Sequence, residues 1–205
     1  MTSSDEDSVI ILPRKRTAEA NKESASIIII DDDEPFVKPS ARKLPKTLKS
    51  TQDYLSNDSP LSQDQKNVYR MVISERKSLF YTGSAGTGKS FLLKVLIQQL
   101  KKMHGHDAVA VTASTGIAAY SIGGSTLHSF SGAGLANQDR DKLVDIILKN
   151  KKSYNRWVSC KVLIIDEISM IEGDFFDKLA YIATQIRKNP KPFGGIQLVI
   201  CGDFM

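Results

Sequence analysis

The stretch Ser78–Leu96 reads Ser-Leu-Phe-Tyr-Thr-Gly-Ser-Ala-Gly-Thr-Gly-Lys-Ser-Phe-Leu-Leu-Lys-Val-Leu, and it restricts the fold more than any other part of the chain. Leu79, Phe80, Tyr81 and Thr82 favour a strand, Gly83, Gly86 and Gly88 follow, and Lys89 and Ser90 open an apolar pattern of helical period. This is G-x-x-x-x-G-K-[ST] with a strand before it and a helix after it, the context that a phosphate-binding loop requires. The glycines let consecutive backbone N–H groups curl around an anion with no Cβ in the way. The start of the following helix adds its partial positive charge. Gly83, Ser84, Ala85, Gly86, Thr87 and Gly88 form the candidate cradle, Lys89 is placed to reach the outer phosphates, and the Ser90 hydroxyl to hold Mg²⁺. An ordinary Gly-rich turn is the competing reading, and both flanks argue against it. The fold class that follows is α/β, a parallel sheet with helices on both faces.

A second anchor lies about eighty residues on, at Lys161-Val-Leu-Ile-Ile-Asp-Glu-Ile-Ser-Met170. Four apolar residues in a row suit a strand buried on both faces, and two carboxylates stand at its C-terminal end. An acid pair there has little structural purpose unless it faces a cation. Asp166 is therefore expected to reach Mg²⁺ through water beside Ser90, and Glu167 to orient or polarise the attacking water. A further all-apolar strand, Leu198–Cys201, runs into Gly202-Asp203. Between the anchors, Ala108–Thr112 reads as another strand, followed by a loop dense in hydroxyls and glycines up to Phe130. Open α/β sheets place binding loops at such strand ends. Thr115 and His128 in that loop are candidates for contact with a nucleic-acid strand. Helix capping by Ser114 or Thr115, and core packing of His128, remain open there.

Residues before Asp58 read differently. Rich in Ser, Lys, Asp and Pro, with no sustained period, residues 1–57 are expected to be a disordered tail, and residues 58–205 the folded domain. The tail carries nine Lys/Arg against ten Asp/Glu, the remainder nineteen against thirteen, so the folded part holds a net +6. A basic domain fits a polyanionic partner, as it fits many proteins without one. Ile27–Glu34, four isoleucines before four acids, resembles a SUMO-interacting motif, a strand added to a partner's sheet edge. Val9–Leu12 is a weaker copy. The alternatives are a chance apolar patch or a strand pairing with the folded domain. Pro13–Arg16 resembles a short nuclear-import signal. The acidic first residues spell neither a secretory signal nor a basic transit peptide. No apolar run approaches the ~18–20 residues of a membrane span. Cys160 and Cys201 sit in apolar surroundings and read as buried free thiols.

The folded part is expected to begin with a helix capped by Ser59 or Ser62, with Leu61, Val68, Met71 and Val72 inward. Gln65 in its first turn carries an amide suited to an adenine edge, although by itself the segment is only a helix start. Asp139–Asn150 is expected to be a surface helix with Leu143, Ile146 and Ile147 inward. The basic and aromatic run Lys149–Lys161 allows two readings: single-strand binding through Tyr154 and Trp157, or a solvated helix end with Trp157 tucked into the core.

Taken in order, Leu61–Gln65, Gly83–Ser90, Val111–Ala119, Thr126–Phe130, Asp166–Met170 and Pro192–Phe204 resemble the PIF (petite integration frequency) family of superfamily-one, five-prime to three-prime DNA helicases. The resemblance implies a RecA-like motor half that binds Mg-ATP, with Gln65 recognising adenine and the loops of Thr115 and His128 along single-stranded DNA. It also implies work at telomeres, stalled forks and G-quadruplexes, in DNA repair and recombination, and in mitochondrial DNA upkeep. A nuclear location is expected, with the mitochondrion as a second site, and a monomer as the working state. The family pattern continues beyond Gly-Asp-Phe with a glutamine that senses the γ-phosphate and a second half that supplies arginines, whereas this sequence has Phe204-Met205 and stops. The expectation is a truncated member that binds nucleotide weakly, hydrolyses almost none and does not unwind. The rival expectation is a non-enzymatic DNA- and SUMO-binding adaptor that competes with the full motor.

Overall fold

A computed structural model gives the fold and describes residues 8–11, 50–84, 86–134 and 138–203, with the backbone alone for 8–11. Ala85, Pro13–Arg16, Ile27–Glu34 and the last two residues lie outside this set. In chain order the elements are β1 (Ser8–Ile11), α1 (Thr51–Leu55), α2 (Gln63–Ile73), β2 (Leu79–Thr82) and α3 (Lys89–His104). Next come β3 (Val109–Ala113), α4 (Gly116–Ser121), β4 (Ser125–Thr126), α5 (Leu127–Ser131), α6 (Arg140–Lys149) and α7 (Lys151–Ser159). The last three are β5 (Val162–Asp166), α8 (Gly173–Arg187) and β6 (Gln197–Cys201).

The strands form one parallel sheet in the order β1-β2-β6-β5-β3-β4. Alternation along the strands sends side chains to two cores. Val162 and Ile164 of β5, Val199 and Cys201 of β6, and Leu79 and Tyr81 of β2 meet α2 and α3 on one face. Leu163 and Ile165 of β5, with Leu198 and Ile200 of β6, meet α5 to α8 on the other. Both faces are thereby covered, which is why these strands read as unbroken apolar runs. No helix among the described residues is long and apolar enough to cross a membrane.

Three expectations change. Packing among the described residues already includes Ser50–Leu55, ahead of Asp58: Ser50 and Asp53 form a capping box, and Tyr54 is buried against the Tyr69 ring at 5.2 Å. Gln99, buried on α3, fastens the start of α1 by donating to the Thr51 hydroxyl at 3.1 Å. A five-residue helix anchored by one aromatic leaves no periodicity to read. Within the expected disordered tail, Ser8–Ile11 forms a strand that pairs in parallel with β2 from Ser8↔Leu79 to Ile11↔Thr82. Ile146 of α6 is 40% exposed while Leu143 and Ile147 are buried, because a ten-residue helix lying on α8 buries only a narrow stripe. Trp157 is fully buried and donates its indole N–H to Ser131 O at 3.0 Å, so the core reading holds for that residue.

Candidate functional site

The sheet register gathers the chemistry. Tyr81 pairs with Cys201 and Ile165 with Ile200, so β2, β6 and β5 end side by side. Gly83 follows β2 directly, Asp203 lies two residues past β6, and Asp166 ends β5 with Glu167 next. This is the edge of a parallel sheet where crossovers leave a crevice for ligands.

The loop after β2 is built around glycines in the left-handed region. Gly88 has φ +86°, and a Cβ on it would lie 2.7 Å from Gln65 Nε2. The left-handed backbone favours glycine there, and a Cβ would also push the Gln65 amide from its place. Gln65 itself is buried and fully engaged. Its Oε1 accepts from Ser62 N–H at 3.0 Å, closing a capping box at the start of α2, and its Nε2 donates to Thr87 O at 3.1 Å. The residue singled out for adenine therefore stands in this structure as a strut between α2 and the loop.

Gly88 caps α3 without a side-chain bond, so the first N–H groups of a sixteen-residue helix point out of the fold uncapped. Ser90 is exposed on its first turn. Ser84 Oγ is buried with no hydrogen-bond partner among the described residues. Lys89, only 13% exposed, folds back on its own loop: its ammonium donates to Gly83 O and, at 3.1 Å, to Ser84 O, and lies 2.6 Å from Asp203 Oδ1. Free N–H groups, an orphaned hydroxyl and a lysine suit the phosphates of a nucleotide. The Ser90 hydroxyl and the Asp166 carboxylate are hard oxygen donors of the kind Mg²⁺ takes.

Asp166 is buried at the end of β5, and burial pushes its carboxyl pKa up, with the Asp203 charge adding to the rise. Glu167 N–H, Cys201 and Lys89 oppose that rise. Glu167 is raised for the same reason, burial first, then the charges of Asp166 and Asp203, with Lys89 opposing. Its backbone is left-handed at φ +55°, a conformation that costs a non-glycine residue about 1–2 kcal/mol. Such strain is held where a side chain must be aimed. The two acids thus divide: Asp166 is fixed in the sheet with Glu167 N–H on its Oδ1 at 3.0 Å, and Glu167 projects from a turn above it.

Thr115 and His128 sit beyond β3 and β4 at the same end of the sheet. The Thr115 hydroxyl accepts from Ala118 N–H at 3.2 Å and caps α4. His128 is exposed, its ring stacked on Phe175 at 4.1 Å. Ile117 and Tyr120 between them are each 88% exposed. Of the basic and aromatic run, Arg156 is spent on Phe130 O and Ser129 O, at 3.0 Å each, and Trp157 on Ser131 O. Asp203 is the residue the sequence reading missed. Its signal was an acid just past an apolar strand, the same signal that singled out Asp166 and Glu167.

The model of the PIF1-like helicases matches residues 60–205. The chain belongs to the PIF1-like helicase family. Among curated PIF1-like relatives, ATP-dependent DNA helicase RRM3 of Saccharomyces cerevisiae is 49% identical over 170 residues, 82% of this chain and 23% of that one. ATP-dependent DNA helicase PIF1 of Emericella nidulans is 50% identical over 163 residues, 78% of this chain and 22% of the relative. The crystal structure of Pif1 helicase from Candida albicans superposes with a TM-score of 0.68 at 55% identity, covering 70% of this chain and 33% of that one. Pif1 helicase from Bacteroides in complex with ADP-AlF3 and ssDNA gives a TM-score of 0.53 at 32% identity, covering 71% of this chain and 33% of its own. The chain thus spans about a quarter of the RRM3 relative and about a third of the solved PIF1-like helicases. The fold is the RecA-like one of those structures.

Proposed function

We propose that this chain is the nucleotide-binding half of an ATP-dependent DNA helicase that moves five-prime to three-prime on single-stranded DNA. The observation that carries it is the convergence of Lys89, Asp166 and Glu167 at the ends of neighbouring strands, beside an uncapped helix start. Lys89 and the N–H groups of the loop hold the β- and γ-phosphates. Ser90 would hold Mg²⁺, with Asp166 behind it through water, and the ion when bound would supply positive charge against the phosphates. Glu167, its pKa raised, polarises the attacking water and takes its proton. Gln65 turns to adenine only by exchanging its bonds to Ser62 and Thr87. Thr115 and His128 lie along the DNA strand, whose bases meet the exposed face of α4. One solved relative is described with ADP-AlF3 and ssDNA, and another with DNA unwinding at forked dsDNA, which supports the same ligands here.

A motor of this class closes two halves around ATP, and an arginine from the second half is worth ~10³–10⁵ in turnover. These 205 residues alone are accordingly read as binding nucleotide without unwinding. At the level of the cell we place the full protein in the nucleus, with the mitochondrion as a second site. Telomere maintenance, repair, recombination and fork progression are its processes, and Ile27–Glu34 is its SUMO-binding motif. The test is strand displacement on a five-prime-tailed DNA fork, run beside Mg-ATP binding. The chain is expected to bind nucleotide and displace no strand, and vigorous unwinding by it would overturn the mechanism.

A further inference from the structure

Lys89 is occupied by its own chain. Its ammonium carries three N–H groups, and three oxygens surround it: Gly83 O, Ser84 O at 3.1 Å and Asp203 Oδ1 at 2.6 Å. Two of these belong to the loop itself. The third comes from another strand, and the sheet sets its position: Leu79, Phe80 and Tyr81 of β2 pair with Val199, Ile200 and Cys201 of β6. Continued by two residues, that register brings Asp203 level with Gly83. Gly202 between them is buried, and a Cβ there would lie 2.9 Å from Ile168 and 3.1 Å from its backbone N, so the turn from β6 to Asp203 is tightly confined.

The geometry points to Asp203 as a positioning residue, a built-in counter-ion that holds Lys89 in the nucleotide-free state and gives it up when phosphate arrives. The contact suits a latch that must open. Oδ1 is a buried atom, yet it meets the ammonium off the direction of a proper hydrogen bond, so attraction between charges does most of the holding. The Asp203 side chain is 47% exposed against 13% for Lys89, so the acid is the partner with room to move. Once Lys89 turns to the nucleotide's phosphates, Asp203 remains beside Asp166 and Glu167, whose carboxyl groups already feel its charge. Nucleotide entry thus exchanges one ion pair for another and leaves three acids facing a polyphosphate. Asp203 opposes binding, and release of the nucleotide is helped by its return to Lys89.

This inference rests on the nucleotide-binding reading, and the experiment separates the two. The intact chain is compared with Asp203→Asn, Lys89→Met and the double variant, each checked for folding by thermal melting. Binding of a fluorescent ADP is measured with Mg²⁺, and the rate at which an amine-reactive reagent labels Lys89 is read by mass spectrometry without nucleotide. Asp203→Asn is expected to bind ADP about two- to fivefold more tightly, the scale of a partly exposed ion pair, and to speed labelling of Lys89. In the Lys89→Met background the same change should have little effect on binding. An equal gain in both backgrounds would reduce Asp203 to general charge repulsion and overturn the latch, as would unchanged labelling. Equal binding by wild type and Lys89→Met defeats the nucleotide site itself, while the labelling rates still report on the latch. Asp203→Ser repeats the test if the asparagine variant melts early.

Discussion

At Gly88 the positive φ and the 2.7 Å approach of Gln65 act on one atom, the Cβ that glycine lacks. Gly88→Ala is expected to cost about 1–2 kcal/mol from the left-handed backbone alone and to disturb the start of α3, read as a lower denaturation midpoint and weaker nucleotide binding. Asp166 behaves in the opposite sense. Burial raises its folded pKa above the ordinary carboxylate value, so the unfolded chain ionises first as pH rises. Stability therefore falls as pH climbs through that window and stays reduced at neutral pH. Asp166→Asn should raise the melting temperature at pH 7 in Mg²⁺-free buffer, and the gain should vanish below about pH 4, while hydrolysis is lost in any longer form of the protein. A site residue that is better for stability when uncharged is there for another purpose.

Among the elements, α1 and α7 carry the clearest consequences. Removing residues 1–57 deletes α1 with buried Tyr54, whereas removing 1–49 keeps it. The longer chain should be more stable by about 2 kcal/mol, the worth of burying one large side chain, as measured by urea denaturation of the two. Trp157→Ala on α7 should cost about 3–5 kcal/mol and loosen α5, because the indole holds Ser131 O. How much of this the sequence carried depends on length and periodicity. Residues of β2, α3, β5, α8 and β6 announce themselves, since long apolar patterns and a motif with fixed flanks leave few alternatives. The short pieces α1, α4 and α5 do not. Their burial is decided by what packs on them, as Tyr69 on Tyr54, and by caps such as Thr115 and Thr126. Asp203 escaped because its role depends on which strand lies beside β2, a fact of topology rather than of local pattern. Gln65 was legible as part of a helix start, but its bonds to Ser62 and Thr87 were not.

Across the whole molecule, one parallel sheet organises everything else. Two apolar cores press on its faces, and the ends of β2, β6 and β5 gather the loop, the latch and the acid pair at one edge. The chain covers a third of the solved Pif1 helicase from Candida albicans, and the nucleotide loop lies within it. The central claim is therefore that the loop of this chain alone recognises Mg-nucleotide through Lys89. The most direct measurement is an equilibrium titration of the 205-residue chain and its Lys89→Ala variant with a fluorescent ATP analogue, with and without Mg²⁺. The account predicts saturable binding that strengthens with Mg²⁺ and weakens about tenfold or more in Lys89→Ala, the worth of a charge-assisted contact to phosphate. Binding of equal strength in both proteins would contradict it.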